Sequence, residues 1–282
     1  MVSIATPLQR RGNLTTLSPV LQTPDTRIVL FGASNLFLTL PTALRLLLAN
    51  FPRTRLSITC AQGPGRSYGV NAGVLGVKFT GILASGALEA LEAEHERSAS
   101  QPGWALLTDV GNDVPYGSGV ERILGWVGET IERLRALNLR IAVTALPVEP
   151  VQSLNAIQFT VLRSLYFPRF PRKREDVQRE VREIDAGLGA LCERRCAKFL
   201  ASDPLWYSLD RIHLKRDCWS LAWRSWIGGL LERELPPSEE RIDRSDLAVR
   251  FHRPVRYFFL GRERRGRSGA WSVAPRANLT AY

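Results

Sequence analysis

The chain has 282 residues, 45% of them hydrophobic, enough for one large core. Its net charge of +11 and pI near 10.1 keep nucleic acid and anionic surfaces open as partners. Four cysteines (Cys60, Cys192, Cys196 and Cys218) make no CxxC pair and no Cys/His metal spacing. No apolar run approaches the roughly 20 residues of a membrane span, and the N-terminus lacks the apolar stretch of a secretory signal. The expectation is a cytoplasmic protein with reduced thiols, no metal and no cofactor.

Residues 1–25 are polar and punctuated by proline, and read as a flexible N-terminal arm. Residues 26–234 then alternate short apolar runs with helical patterns. The runs at 27–32, 55–60, 104–110, 140–146 and 197–201 are nearly continuous in hydrophobicity, as in strands covered on both faces. Pro41 fits the first turn of a helix running to Asn50, and Ser118 with Glu121 has the pattern of a capping box. After that box, Val120, Ile123, Leu124, Val127, Ile131 and Leu134 hold one helical stripe. Further helices are predicted over 172–196 and 215–234. The alternation predicts an α/β fold: three αβα layers around a flavodoxin-like, five-stranded parallel sheet.

Two segments stand outside that pattern. Residues 151–171, apolar and aromatic with two prolines, read either as a lid or substrate wall or as a helix packed on the core. Residues 235–282 form a basic C-terminal extension with ten Arg against five acidic residues. Its VRFHRPVRYFFLG stretch is apolar enough to dock back as a strand, and the rest is expected to be disordered.

Ligands of open α/β sheets bind beyond the carboxyl ends of the strands. The first predicted strand ends in Gly32-Ala33-Ser34-Asn35, within RIVLFGASN, and the second in QGPGRSYG. The third ends in Asp109-Val110-Gly111-Asn112-Asp113, and the fifth leads to Asp210-Arg211-Ile212-His213. Taken singly, Ser34 reads as a helix cap, Asn112-Asp113 as a turn and His213 as a core histidine. Four such coincidences at one sheet edge are harder to accept. The glycines of the second loop are one residue too widely spaced for a dinucleotide fingerprint.

In their order, Gly-x-Ser-Asn, a glycine turn, Gly-x-Asn-Asp and Asp-x-x-His before a last helix, these motifs resemble the SGNH/GDSL hydrolase family over about residues 27–233. Ala33 and the Cys218-Trp219 pair depart from the family's pattern. The resemblance implies a serine hydrolase cleaving a carboxylic ester or an O-acetyl group through an acyl-enzyme. It implies Ser34 as nucleophile, His213 as base and Asp210 as the residue that holds the imidazole. The oxyanion donors would be the N–H groups of Ser34 and Gly65 and the amide of Asn112, with Gly63 the alternative glycine. Asn35 and Arg66 are expected to bind substrate, and Tyr68 and Tyr116 to line the pocket. The alternatives are an acyltransferase or thioesterase using the same site, or a catalytically silent binding protein. The expected partner is a small-molecule, carbohydrate or lipid ester, with anionic-surface or nucleic-acid contact through the C-terminal tail. The sequence does not fix an oligomeric state.

Overall fold

The computed structural model describes residues 25–74, 76–97, 103–168, 172–236, 256–265 and 271–282. The N-terminal arm and much of the basic extension, His252 included, lie outside the described residues.

Ten strands are described: β1 (Thr26–Phe31), β2 (Leu56–Ala61), β3 (Val77–Phe79), β4 (Gly103–Leu107), β5 (Leu139–Thr144), β6 (Lys198–Leu200), β7 (Arg256–Phe259), β8 (Arg262–Arg265), β9 (Trp271–Ala274) and β10 (Ala277–Ala281). The main sheet runs β6-β5-β4-β1-β2-β10-β9. Its five strands from β2 to β6 are parallel and follow the flavodoxin-like order, because β3 lies in a separate three-stranded sheet with β7 and β8. The expected strands thus form, each within a few residues of its predicted position.

The extension departs from expectation. The apolar stretch near 256 does dock, pairing β7 with β3. Beyond it, β10 adds a sixth parallel strand beside β2, burying Ala277 and Leu279, and β9 closes that edge antiparallel. Alternating apolar residues give ANLTA the pattern of a strand with one buried face. Its parallel partner lies more than two hundred residues upstream, a pairing that no local pattern encodes.

Seven α-helices are described: α1 (Ser34–Asn50), α2 (Ala87–Arg97), α3 (Val120–Ala136), α4 (Val148–Gln152), α5 (Ala156–Tyr166), α6 (Arg174–Arg194) and α7 (Trp219–Leu231). Strand residues of opposite parity serve the two faces. Val29, Phe31, Leu107 and Val143 pack under α2, α3 and α6. Ile28, Leu30, Leu106 and Ala142 pack under α1 and α7, where Trp223 and Trp226 fill the space between helix and sheet. Two helix starts differ from those predicted. α1 begins at Ser34, so Pro41 sits inside it, and the buried stripe of Leu36, Leu40, Leu44 and Leu47 holds the helix despite the lost N–H donor. α3 begins one residue beyond Gly119, whose φ of 81° a glycine adopts without strain, and no side chain caps it.

Candidate functional site

The order of strands reverses between β1 and β4, and there the chain opens a cavity of about 120 Å³. Ser34 and Asn35 line it from the β1 end, Asp109 and Asn112 from the β4 end, and Thr144 to Pro147 from the β5 end. α4 and α5 bring Val151, Phe159, Leu162 and Tyr166 to its apolar wall. At Gly32 the two strands come close: a Cβ there would stand 2.5 Å from the Thr108 methyl.

Asp109 organises the turn after β1. Held in the left-handed region at φ 59°, it accepts the N–H of Ala33 (2.8 Å) and of Leu36 (3.1 Å) on one carboxylate oxygen. Those are two of the N–H groups that a helix start leaves without intrahelical partners, and a carboxylate there also complements the helix dipole. The capping role open to Ser34 is therefore filled by Asp109. Ser34 itself is the first residue of α1, and its hydroxyl has no hydrogen-bond partner among the described residues.

Asn35 ties three loops together. Its amide nitrogen donates to Asp109 Oδ1 (2.9 Å) and to the carbonyl of Ile212 (3.0 Å), and its oxygen accepts the N–H of Leu214 (2.9 Å). Ile212 and Leu214 flank His213, so one side chain fixes the histidine's backbone against the residue next to Ser34. The sequence suggested Asn35 for substrate binding. Both donors and the carbonyl are instead spent on the protein.

His213 sits in a loop closed by its own carbonyl accepting from Ser208 N–H (2.7 Å) and by Lys215 N–H donating to Trp206 (2.7 Å). Asp210 meets the ring at Nδ1 (2.6 Å) and accepts from Ser208 Oγ (2.6 Å) and the His213 N–H (3.0 Å). Burial alone would push the Asp210 carboxyl up, but the hydrogen bonds and charge of His213, joined by Ser208, outweigh it and hold it well below the usual range. Tyr166 of α5 stands edge-on to the imidazole, ring centres 5.6 Å apart. Burial, then the charge of Asp210, raises the Tyr166 phenol. Arg211, in the left-handed region at φ 64°, makes the tight turn between acid and histidine.

The loop after β2 faces elsewhere. Arg66, expected at the substrate, is 1% exposed and donates to the carbonyls of Thr80 (3.0 Å), Gln62 (3.2 Å) and Tyr282. It stitches the β2 turn to the residue after β10, a partner that the local sequence could not reveal. Tyr68 is equally buried, donating to the carbonyls of Phe31 (3.2 Å) and Thr108 (2.9 Å), and so bridges β1 and β4 rather than lining the pocket. Tyr116 donates to the carbonyl of Gly65 (2.5 Å). Of the two candidate glycines, Gly65 turns through φ 69°, while Gly63 packs against the Phe79 ring. Neither lines the cavity that holds Ser34 and Asn112. Asp113, fully buried, accepts from Ser67 Oγ and from Tyr68 N–H (3.0 Å), and burial raises its carboxyl to about 6 despite those bonds.

Sequence reasoning named Asp109 and Asp113 only as parts of a motif and missed what they hold. The signal for Asp109 was an acid two residues beyond a strand end, across from a small-residue turn. Nothing local marks Asn35 as a clamp, because its partners lie 74 to 179 residues away.

No family model matches this chain, and no curated protein matches it. Solved structures do. The esterase EstA from Pseudoalteromonas sp., inhibited by monoethylphosphonate, aligns over 73% of this chain and 96% of its own at 12% identity and a TM-score of 0.43. TesA aligns over 72% and 97% at 13% identity and a TM-score of 0.44. An extracellular lipase from Streptomyces rimosus aligns over 73% and 99% at 13% identity and a TM-score of 0.40. These likenesses are distant, so the weight falls on the chain's own contacts. With its 2-1-3-4-5 parallel core and four ordered motifs at one sheet edge, the chain resembles the SGNH/GDSL hydrolases in fold.

Proposed function

We propose that this protein is a serine hydrolase of esters, with Ser34 as nucleophile, His213 as general base and Asp210 as its orienting acid. The observation that carries the reading is the Asn35 clamp. It pins both neighbours of an Asp-paired histidine to the residue following an uncommitted serine, which opens into an apolar cavity.

The chemistry follows from those positions. A serine hydroxyl is a weak nucleophile until a base takes its proton. Asp210 engages Nδ1, so that nitrogen carries the proton and Nε2 of a neutral ring is left to accept from Ser34. No hydrogen bond joins Ser34 to His213 here, and such contacts commonly tighten only when substrate is bound. Attack on the ester carbonyl makes an oxyanion. The N–H of Ser34 at the α1 N-terminus and the Asn112 amide, both at the cavity, are its donors; Gly65, the third that the family resemblance implies, does not line it. Losing one such donor costs on the order of 10²–10³ in turnover. The imidazolium then protonates the leaving alcohol, and water repeats the sequence on the acyl-enzyme.

The test is covalent labelling with a fluorophosphonate, read by mass spectrometry, alongside hydrolysis of p-nitrophenyl esters. Wild type is expected to be modified at Ser34 alone, and both Ser34→Ala and His213→Ala to lose nearly all turnover while remaining folded. A folded wild-type protein that takes no label and cleaves no ester overturns the proposal.

A further inference from the structure

α5 is apolar on more sides than its packing uses. Phe159, Leu162 and Tyr166 turn into the cavity, yet none of its residues is fully buried. On the opposite side Ile157, Val161 and Leu165, spaced by four, are 77%, 59% and 58% exposed. An all-round apolar helix normally lies in a core. This one is a stable unit at the surface, opened by a capping box in which Asn155 and Gln158 exchange hydrogen bonds. A second segment adds to the stripe: Leu205 and Leu209, in the loop leading to His213, are 74% and 88% exposed. Tyr166 stands against His213, which brings the end of α5 beside the loop that carries Leu209.

Along α5 and the turn that follows it the charge has one sign. Between 156 and 174 the sequence carries basic residues and no acidic one. Of the described ones, Arg163 and Lys173 take part in no ion pair among the described residues, and Arg163 lies at the cavity itself. Apolar side chains beside unpaired cations suit the interface of an anionic lipid layer, where alkyl groups enter the acyl boundary and cations meet headgroup phosphates. Among the described residues no helix is long and apolar enough to cross a membrane, so such contact is peripheral.

We propose that the outer face of α5, together with Leu205 and Leu209, docks this protein onto an anionic lipid surface with the cavity mouth turned toward it. A lipid ester entering from that surface would meet Ser34 directly; this last step rests on the hydrolase reading, the docking does not.

The experiment is co-sedimentation of the full chain with vesicles of phosphatidylcholine alone or mixed with phosphatidylglycerol, in parallel with hydrolysis of a water-soluble p-nitrophenyl ester. Wild type is expected to bind the mixed vesicles, more weakly as salt rises, and the neutral ones poorly. The variant Ile157→Gln/Val161→Gln/Leu165→Gln should bind at least about tenfold more weakly. Its hydrolysis of the soluble ester should be little changed, because none of the three residues lines the cavity. A Leu209→Ser variant should weaken vesicle binding by a smaller factor. Equal binding by wild type and triple variant overturns the proposal, as does a wild type indifferent to phosphatidylglycerol. So does a wild-type dimer that the triple substitution dissolves while no vesicle is bound, since the stripe is then a protein interface. Failure of wild type to cleave any soluble ester would sink the hydrolase reading and leave the docking result standing.

Discussion

Two aspartates at the same sheet edge are set on one plan and put to different use. Each accepts a serine hydroxyl and backbone N–H: Asp210 from Ser208, Ile212 and His213 of its own loop, and Asp113, after β4, from Ser67 and Tyr68 of the loop after β2. They differ in the remaining partner. Asp210 has an imidazole at 2.6 Å, and its carboxyl is held far below the usual range. Asp113 has no cationic partner among the described residues, and burial raises it to about 6. A carboxylate with hydrogen-bond donors alone does not escape the cost of its desolvation, and a histidine beside it reverses the balance. The loop with the histidine borders the cavity through Ile212, whereas the β2 turn that Asp113 holds is sealed by Arg66 and Tyr68.

The sharpest way to break this contrast is to neutralise each acid. Asp210→Asn should lower turnover by roughly 10³–10⁴-fold with the fold intact, because the amide no longer selects the tautomer that leaves Nε2 free. Asp113→Asn should lower turnover far less, since Asp113, although fully buried, does not line the cavity. Steady-state kinetics on one soluble ester would check both, and comparable losses would erase the distinction drawn between the loops.

Next in size is the clamp. Asn35→Ala removes the bonds that hold Ile212 and Leu214, and a shift of the histidine by about 1 Å is enough to cost on the order of 10² in kcat. KM should be nearly unchanged, because the amide's donors and oxygen are all taken by protein. A raised KM with kcat preserved would instead restore the substrate-binding role that the sequence suggested.

How far the sequence carried the reading depends on distance along the chain. The five core strands were legible because burial on both faces writes an unbroken apolar run into each. Ser34, Asn112, Asp210 and His213 were legible because each follows a strand end within a short motif. What escaped was carried by long-range pairing. β10 beside β2, Arg66 on the Tyr282 carbonyl and Asn35 across the His213 loop join residues whose local patterns say nothing of each other. Polarity alone made Arg66 look like a ligand for substrate, and only its burial against three carbonyls shows otherwise. Pro41 misled in the opposite way, since tertiary packing overrode a local preference.

A smaller effect separates the two acids thermodynamically. The folded state raises Asp113 from an ordinary 3.8 to about 6, so it favours the protonated form. Its contribution is fully present below pH 4 and is lost as pH rises through 6, on the order of 3 kcal/mol. Asp210, lowered on folding, contributes in the opposite sense: its share is present above pH 4 and disappears on acidification. Urea midpoints between pH 4 and 7 should therefore show Asp113→Asn gaining on wild type as pH rises, while Asp210→Asn keeps a constant deficit there and closes on wild type only below pH 4. Parallel profiles for wild type and Asp113→Asn would mean that the buried acid is already charged at pH 4.

The smallest change asks whether the β2 loop takes any part in the chemistry. Tyr116→Phe deletes the hydroxyl that donates to the carbonyl of Gly65 and meets the backbone of Gly73, and should cost about 1–2 kcal/mol of stability. That carbonyl helps to set the rotation of the turn and hence the direction of the Gly65 N–H, at a residue already in the left-handed region. If this N–H serves the oxyanion, loosening the turn lowers kcat several-fold beyond what the stability loss explains, because a donor must point where the charge develops. If kcat stays level while the melting temperature falls, the β2 turn is scaffold only. The N–H of Ser34 and the amide of Asn112 then hold the oxyanion without it, and the division between a reactive loop and a sealed one becomes complete.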